Sequence, residues 1–529
     1  MKLKQFIQQE TVLTAAAVLA VVSAFFVPPD TQYLGYIDLR TLAILFSLMT
    51  VMAGLRRQGF FDGLGRALLS RTHSTFQLTL VLVGLCFFGS MFITNDVSLL
   101  TFVPFTFVVL SRLGADVLIL EEGAYLGGAL TGCGVGPMMP FHAGEKQVIR
   151  GIMEEIVERL KTDGYSTGHI YDTMQYISYL TPFNSEGLKV VLDEMTAEAG
   201  CTVLFHTFIG AAVCGEGKIE SLTVCNKDGI HSVSARVYID GTGDGDVAAF
   251  AGAPMTKGRE SDGAAQPMTM NMKYLNVDTE AIKEHIRMHI ADFSRHQGNE
   301  ELMDTVSRFS FCGFQDEFRE ARERGELEIR REDVLCFETD RPREYIVNTT
   351  RIIDHDAVNA ASLSDAEVTG RRQCRQLDRF LRRHVPGFQN AVLEFTGPRV
   401  GVRGSRQLSG KYTLTAEDIL ERRSFDSVIA HSAYPIDIHN PKGVGTDSRF
   451  LSEKGTYYSI PYETLYCEEI NNLLTAGRCI SASFEAQAAI RTTPTAGALG
   501  HAAGVAAALA AKGDGDVSKV SRNELQKRL

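Results

Sequence analysis

Val117-Leu118-Ile119-Leu120 is a run with an apolar side chain at every position, and it stops abruptly at Glu121-Glu122. A strand buried on both faces of a parallel sheet reads this way, with polar residues at its carboxyl edge. An acid at that edge can accept hydrogen bonds from ribose hydroxyls, as dinucleotide folds require. The glycines that follow (Gly127, Gly128, Gly132, Gly134 and Gly136) let main chain approach a ligand closely. Such a fold also needs an earlier strand, a G-x-G-x-x-G turn and a helix, with the acid roughly 20 residues beyond the turn. Counting back by that spacing reaches Ser98-Leu99-Leu100-Thr101-Phe102-Val103, which contains no glycine. Bulky side chains there would hold a diphosphate away from a helix N-terminus. The only G-x-G upstream is Gly63-Leu64-Gly65, and no strand precedes it.

Hydropathy divides the chain sharply. Glu10 to Val27 is almost uncharged and about as long as the ~20 residues a bilayer span needs. Thr41 to Leu55 and Phe76 to Thr94 read as further spans, and Val97 to Leu110 as a short or broken one. Lys2, Lys4, Arg56, Arg57, Arg66, Arg71 and Arg112 fall on one side of four crossings, and only Arg40 on the other. That bias predicts a multi-pass protein of the cell inner membrane, with the N-terminus and everything after Arg112 in the cytoplasm. The lipid bilayer is thus an expected partner. A net charge of −11 without a basic tail argues against nucleic acid. Ten scattered cysteines, with no C-x-x-C pair and no His/Cys cluster, suit reduced thiols and give no metal site.

Beyond Gly136 the chain reads as soluble. Glu145 to Lys161 has apolar residues at helical spacing, and a helix from Ser185, as N-cap, stops at Gly200. Strands follow from Cys201, then a meander with turns at Gly215-Glu216-Gly217 and Asp228-Gly229. Asp240-Gly241-Thr242-Gly243-Asp244-Gly245-Asp246 imitates a dinucleotide fingerprint but carries Asp246 at the third glycine position. Residues ~260 to ~460 mix strand and helix patterns. In them Arg399, Arg403 and Arg406 stand close in a turn-rich stretch. Three guanidiniums so spaced suit a carboxylate-bearing substrate, and equally suit pairing with nearby acids. His142 and His431 are candidate acid–base groups, although a lone histidine is more often structural.

The segments RLGADVLILEEGAYLGGALTGCGVGP, DGTGDGDVA, GPRVGVRGSRQLSGKYTL and NNLLTAGRCISASFEAQAAIRTTPTAGALGHAAGVAAALA together resemble FAD-dependent oxidoreductases of the glutathione-reductase-like class. The resemblance implies FAD as cofactor. It implies Glu121 as the ribose acid, with Gly127, Gly128 and Thr131 beside it and Gly243 and Asp244 near the flavin. It implies Gly477, Arg478, Arg491, Thr495, Gly497 and Gly500 on the flavin side of the closing segment, and Arg403 with His431 and His142 as catalytic candidates. The N-terminal segments FFVPP, IDLRTLAILFSLMTVMAGL and FITNDVSLLTFVPF resemble the start of citrate-transporter and arsenite-permease type anion transporters. In that superfamily the motif matching Thr94-Asn95-Asp96 lies near the substrate, although the same residues suit a loop between spans.

The expected architecture is therefore an all-α transmembrane segment of about four spans (1–111), followed by an α/β FAD/NAD(P)-binding-like domain (112–262 and 463–516) that lacks its first βα unit. An α+β substrate domain (263–462) is inserted, and 517–529 is a polar tail. The leading expectation is a membrane-tethered FAD-dependent oxidoreductase acting on a small, anionic organic substrate, with an unknown electron partner. One alternative is a cofactor-deficient fusion of a permease fragment with a truncated flavoprotein, joined near Leu110 to Gly114. The other is an anion transporter with an appended flavin-like domain, which would need a second permease repeat.

Overall fold

The computed structural model describes residues 116–451, 453 and 455–529. The four expected spans and Thr94-Asn95-Asp96 lie outside the described residues. The chain divides into two compact units, Met1–Gly114 and Ala115–Leu529. No helix among the described residues is long and apolar enough to cross a membrane.

In the second unit, β1 (Leu118–Leu120) leads through the glycine loop to a small hairpin at His142–Ala143 and Lys146–Gln147. Helix α1 (Ile152–Thr162) follows. Its start corrects the expected Glu145, because Gly151 takes a φ of +66° and the residues before it pair as the hairpin. Helix α2 (Ser185–Glu198) is capped by Asn184, whose side chain accepts from the Glu186 and Gly187 amides, so Ser185 is the first helical residue and not the cap. Then come β2 (Thr202–Leu204) and the antiparallel meander β3 (Phe208–Gly215), β4 (Lys218–Asn226) and β5 (Gly229–Val233). Strand β6 (Tyr238–Asp240) enters the D-G-T-G-D-G-D turn.

The inserted region holds β7 (Met272–Leu275), β8 (Ser310–Gly313), β9 (Val334–Glu338), β10 (Tyr345–Val347), helix α3 (Ala360–His384) and β11 (Val392–Thr396). The strands form one antiparallel sheet in the order β8-β9-β10-β7-β11. Asn359 caps α3, and Arg382, Arg383 and His384 occupy its last turn, where the helix dipole favours cations. The core between sheet and helix joins Met270, Met272, Tyr274, Phe311, Tyr345, Cys374, Leu377 and Phe380, all buried.

Next come β12 (Val428–Ser432), the hairpin β13 (Ile436–His439) and β14 (Thr446–Arg449), β15 (Tyr458–Pro461) and β16 (Leu473–Thr475). Helices α4 (Phe484–Ile490) and α5 (Thr493–Ala511) follow. Alanine and glycine dominate α5, which buries Ala502, Ala503 and Ala506 in a core with Ile429, Tyr458 and Ile490. Among the described residues the parallel strand pairings are β1 with β2 and β6 with β16, each a separate two-stranded sheet.

Candidate active site

Glu121 sits where β1 ends. Its main chain is fixed by bonds to Leu204 and Thr207, and its Oε1 accepts the Gly123 amide at 2.7 Å. Its other carboxylate oxygen has no hydrogen-bond partner among the described residues, so an acceptor remains open at the strand edge. Gly127 takes φ +108°, where a Cβ would meet the Thr131 side chain; Gly128, at φ +55°, faces open space. The Thr131 hydroxyl is spent on the Leu126 carbonyl at 2.7 Å.

The turn after β6 is tied by Asp240, which is fully buried and accepts from Thr242 and from the Ala248 amide. Gly243 lies directly under Arg478, whose guanidinium a Cβ would strike. Arg478 pairs with Asp244 at 2.8 Å, and its Nε is buried without a partner among the described residues. Asp244 also accepts from Ser405, and its carbonyl from Arg406. Burial, and then the charge of Asp244, push the Asp246 carboxyl up; Glu122 adds to this, which brings the two acid-bearing strand ends within electrostatic reach.

The three arginines do not form one clamp. Arg399 pairs with Glu122, and Arg406 with Asp246. Carboxylates already present neutralise both, because the strand ends supply more acids than any ribose would need. Cys133 is within reach of the charges of Arg399 and Arg478; burial raises its thiol despite both guanidiniums.

Gly477, at φ +85°, stands where a Cβ would lie 3.9 Å from the Cβ of Ala496 in the first turn of α5. The N-cap Thr492 makes no side-chain cap bond, so first-turn amides of α5 stay free for a polar group. Thr495 is buried and its hydroxyl bonds Ser432 (2.9 Å) and Thr492 (3.0 Å). Gly497 has a different task from the one expected: a Cβ there would strike the Met153 thioether, so this glycine packs α5 on α1. Gly500 has open space above it.

Arg403 stands apart from Arg399 and Arg406, in a cluster that sequence reading missed. It is 8% exposed, and its Nη1 donates to the Pro267 carbonyl at 2.7 Å. Nearby, Asp437 accepts from Tyr176 (2.8 Å), Tyr434 (3.2 Å) and Arg491 (3.2 Å). Arg351 donates to Nδ1 of His439 (3.0 Å), which leaves the ring proton on Nε2, 3.3 Å from Asp437 Oδ2. Burial, reinforced by Arg403, pulls His439 down to about 3, so this ring is neutral at neutral pH. Burial would raise Asp437, but His439, Arg491 and the Tyr176 hydroxyl outweigh it and hold the carboxyl ionised. The D-I-H alternation at 437–439, two polar residues on one face of a strand, was the available signal.

His142 and His431 belong to another face. The His142 ring lies 4.7 Å from His169 and 4.6 Å from Tyr179, with a buried, unpartnered Nδ1. His431 accepts or donates at Ser459 (3.1 Å) and meets the Tyr457 edge at 4.9 Å. Lys146 joins the two faces through the Tyr457 hydroxyl at 3.0 Å. No hydrogen bond among the described residues links either histidine to Arg403.

Comparison with known proteins adds two family matches. Residues 6–183 match the family described as citrate transporter. In the same region the chain is 36% identical over 91 residues to the inner membrane protein YbiR of Escherichia coli strain K12, 17% of this chain and 24% of that protein. The chain thus spans about a quarter of that relative's length. Among solved structures, a geranylgeranyl bacteriochlorophyll reductase-like protein from Thermoplasma acidophilum is 13% identical, with 78% of this chain and 81% of that one covered and a TM-score of 0.36. The p-nitrophenol 4-monooxygenase PnpA from Pseudomonas putida DLL-E4 is 9% identical over 57% of this chain and 65% of its own, with a TM-score of 0.32. Likenesses this distant say nothing of the reaction. The second family match, described as FAD dependent oxidoreductase, runs over residues 108–529 and takes in the Glu121 edge, the Gly243 turn, Arg478 and the start of α5. By that match, which covers well over half its length, the chain belongs to the FAD-dependent oxidoreductase family, with FAD as its cofactor and a citrate-transporter-like domain at its N-terminus.

Proposed function

We propose that this protein is a membrane-attached FAD-dependent oxidoreductase acting on a small organic anion. The observation that carries the reading is the convergence of an acid edge, a glycine turn and a helix start. Glu122 lies within electrostatic reach of Asp246 in the 240–246 turn, Glu121 and Glu122 both act on Arg399, and that turn is locked through Arg478 to the segment that opens α5.

These residues fit the cofactor in part. Glu121 retains an open acceptor for a ribose hydroxyl, Gly243 leaves no Cβ beneath Arg478, and the buried Nε of Arg478 has a proton to donate. The uncapped start of α5 offers main-chain amides to the flavin's polar edge. A diphosphate cradle of the G-x-G-x-x-G kind is absent from the sequence before Glu121. FAD, when bound, supplies the exchange of an electron pair with the substrate. The chain's own contribution is to hold the ligand: Arg478 as a fixed positive charge, Asp244 keeping that guanidinium in place, and Gly243 admitting close approach. Attachment to the membrane is supported by the citrate-transporter match and by the inner-membrane relative.

A second reading, a cofactor-deficient fusion, is favoured by the missing glycine turn alone. Purification in detergent and a visible spectrum discriminate between the two. The leading reading expects close to one flavin per chain. A protein that stays colourless after incubation with excess FAD would sink it. The membrane part is checked separately, by retention in the membrane pellet after an alkaline wash.

A further inference from the structure

Four guanidiniums, Arg331, Arg351, Arg403 and Arg491, are gathered about one buried spot; burial, and then the like charges of Arg491, Arg331 and Arg351, lower the tendency of Arg403 to stay charged. Three carboxylates face them: Asp437, which pairs with Arg491, Asp333, which pairs with Arg331 at 3.3 Å, and Glu332, whose charge acts on Arg351. One positive charge is thus unmatched. Arg351 is not the open one, because its donors reach the carbonyls of Arg330, Gly443 and Gly445, the Thr446 hydroxyl and His439. The open donors belong to Arg403 and Arg491. Nε and Nη2 of Arg403 make no hydrogen bond among the described residues, although the residue is only 8% exposed. Nε of Arg491 is buried and unpartnered, and its Nη2 shares Asp437 with two tyrosines and a histidine. The two arginines are brought together by α4: Gln487 donates to the Arg403 carbonyl at 2.6 Å, and Arg491 ends the same helix. Tyr434, Asp437 and His439 lie beside them, with 6–8% of their surface exposed.

Leaving a guanidinium buried with unpaired donors is unfavourable, and carboxylates match its planar fork in a bidentate way. Asp437 cannot serve both arginines, since it already accepts from Tyr176, Tyr434, Ser448 and Arg491. We propose that Arg403 and Arg491 form a binding site for a small dicarboxylate, one carboxylate for each guanidinium, with the Tyr434, Tyr176 and His439 side chains beside it. The proposal rests on the oxidoreductase reading only for what is done to the ligand once bound; binding itself does not depend on it.

The test uses the full chain in detergent, with malonate and succinate as probes followed by calorimetry, while flavin content is read independently at its visible band. Saturable binding of one dicarboxylate per chain is expected. Arg403→Gln and Arg491→Gln should each weaken it about a hundredfold, from the loss of two charge-assisted hydrogen bonds. Asp437→Asn removes the competing carboxylate and should tighten it about tenfold. Arg403→Met, without ligand, should melt no lower than the parent, because it removes an unmatched buried charge. Binding that survives both arginine changes overturns the site. So does a preference for inorganic phosphate over succinate, or an Arg403→Gln variant that shifts the flavin midpoint potential while leaving the dicarboxylate affinity unchanged. A colourless protein that still binds succinate would fail the flavin reading and keep this one.

Discussion

The antiparallel sheet of the inserted region and the parallel strands of the cofactor side obey opposite rules of burial. In the first, five strands pair continuously, and Met272, Tyr274, Phe311, Tyr345 and Val347 are fully buried against α3. In the second, β1 and β2 form one ribbon and β6 and β16 another. Val117, Leu118 and Ile239 are 48%, 40% and 42% exposed, although their sequence is that of strands covered on both faces. Parallel sheets are stable when buried, and among the described residues each ribbon leaves an edge of unpaired amides and carbonyls. The sheet of the inserted region is continuous, whereas among the described residues the cofactor side has two separate two-stranded ribbons.

The comparison can be broken most directly by supplying what the second region lacks. Grafting a strand–G-x-G-x-x-G–helix unit before Arg112 should tighten FAD binding by a hundredfold or more, several kcal/mol at about 1.5–3 kcal/mol per hydrogen bond to a charged group. Flavin fluorescence titration measures it; an unchanged affinity would mean that another segment already provides the cradle. Matched truncations sharpen the contrast further. Phe311→Ala should cost about 3–5 kcal/mol in urea unfolding, whereas Leu118→Ala, half in solvent, should cost less than about 1 kcal/mol. Equal costs would show that β1 is covered in the working protein.

The smallest effect is one of pH. Burial holds His296 down to about 4, and burial with Arg403 holds His439 down to about 3, against an ordinary 6.5. Below pH 6.5 the unfolded chain takes up protons that these folded rings refuse. Stability is therefore full above 6.5 and falls as pH drops towards 4, by about 1.4 kcal/mol per pH unit for each ring. Urea midpoints at pH 7 and pH 5 test this, and His439→Asn should remove its half of the slope.

Local pattern makes several elements readable in the sequence. The Val117–Leu120 run and its acid edge, the meander turns, and the small-residue helix of the closing segment depend on neighbours within a few positions. Helix starts were displaced where a glycine of positive φ or an Asx cap intervened, as at Gly151 and Asn184. Which arginine meets which acid could not be read in that way. Arg399 reaches Glu122 across 277 positions, and Arg406 reaches Asp246 across 160, so both were unavailable for a ligand for reasons that no local window contains.

The amino-acid order alone decided the family, the cofactor and the loss of the glycine turn, because each rests on short runs of residue type. The folded chain alone decided where charge is left over. Asp437 and Arg491, 54 positions apart, and Arg403 are assembled by α4 packing on β13. Coulomb energy depends on distance and burial in three dimensions, and sequence spacing specifies neither.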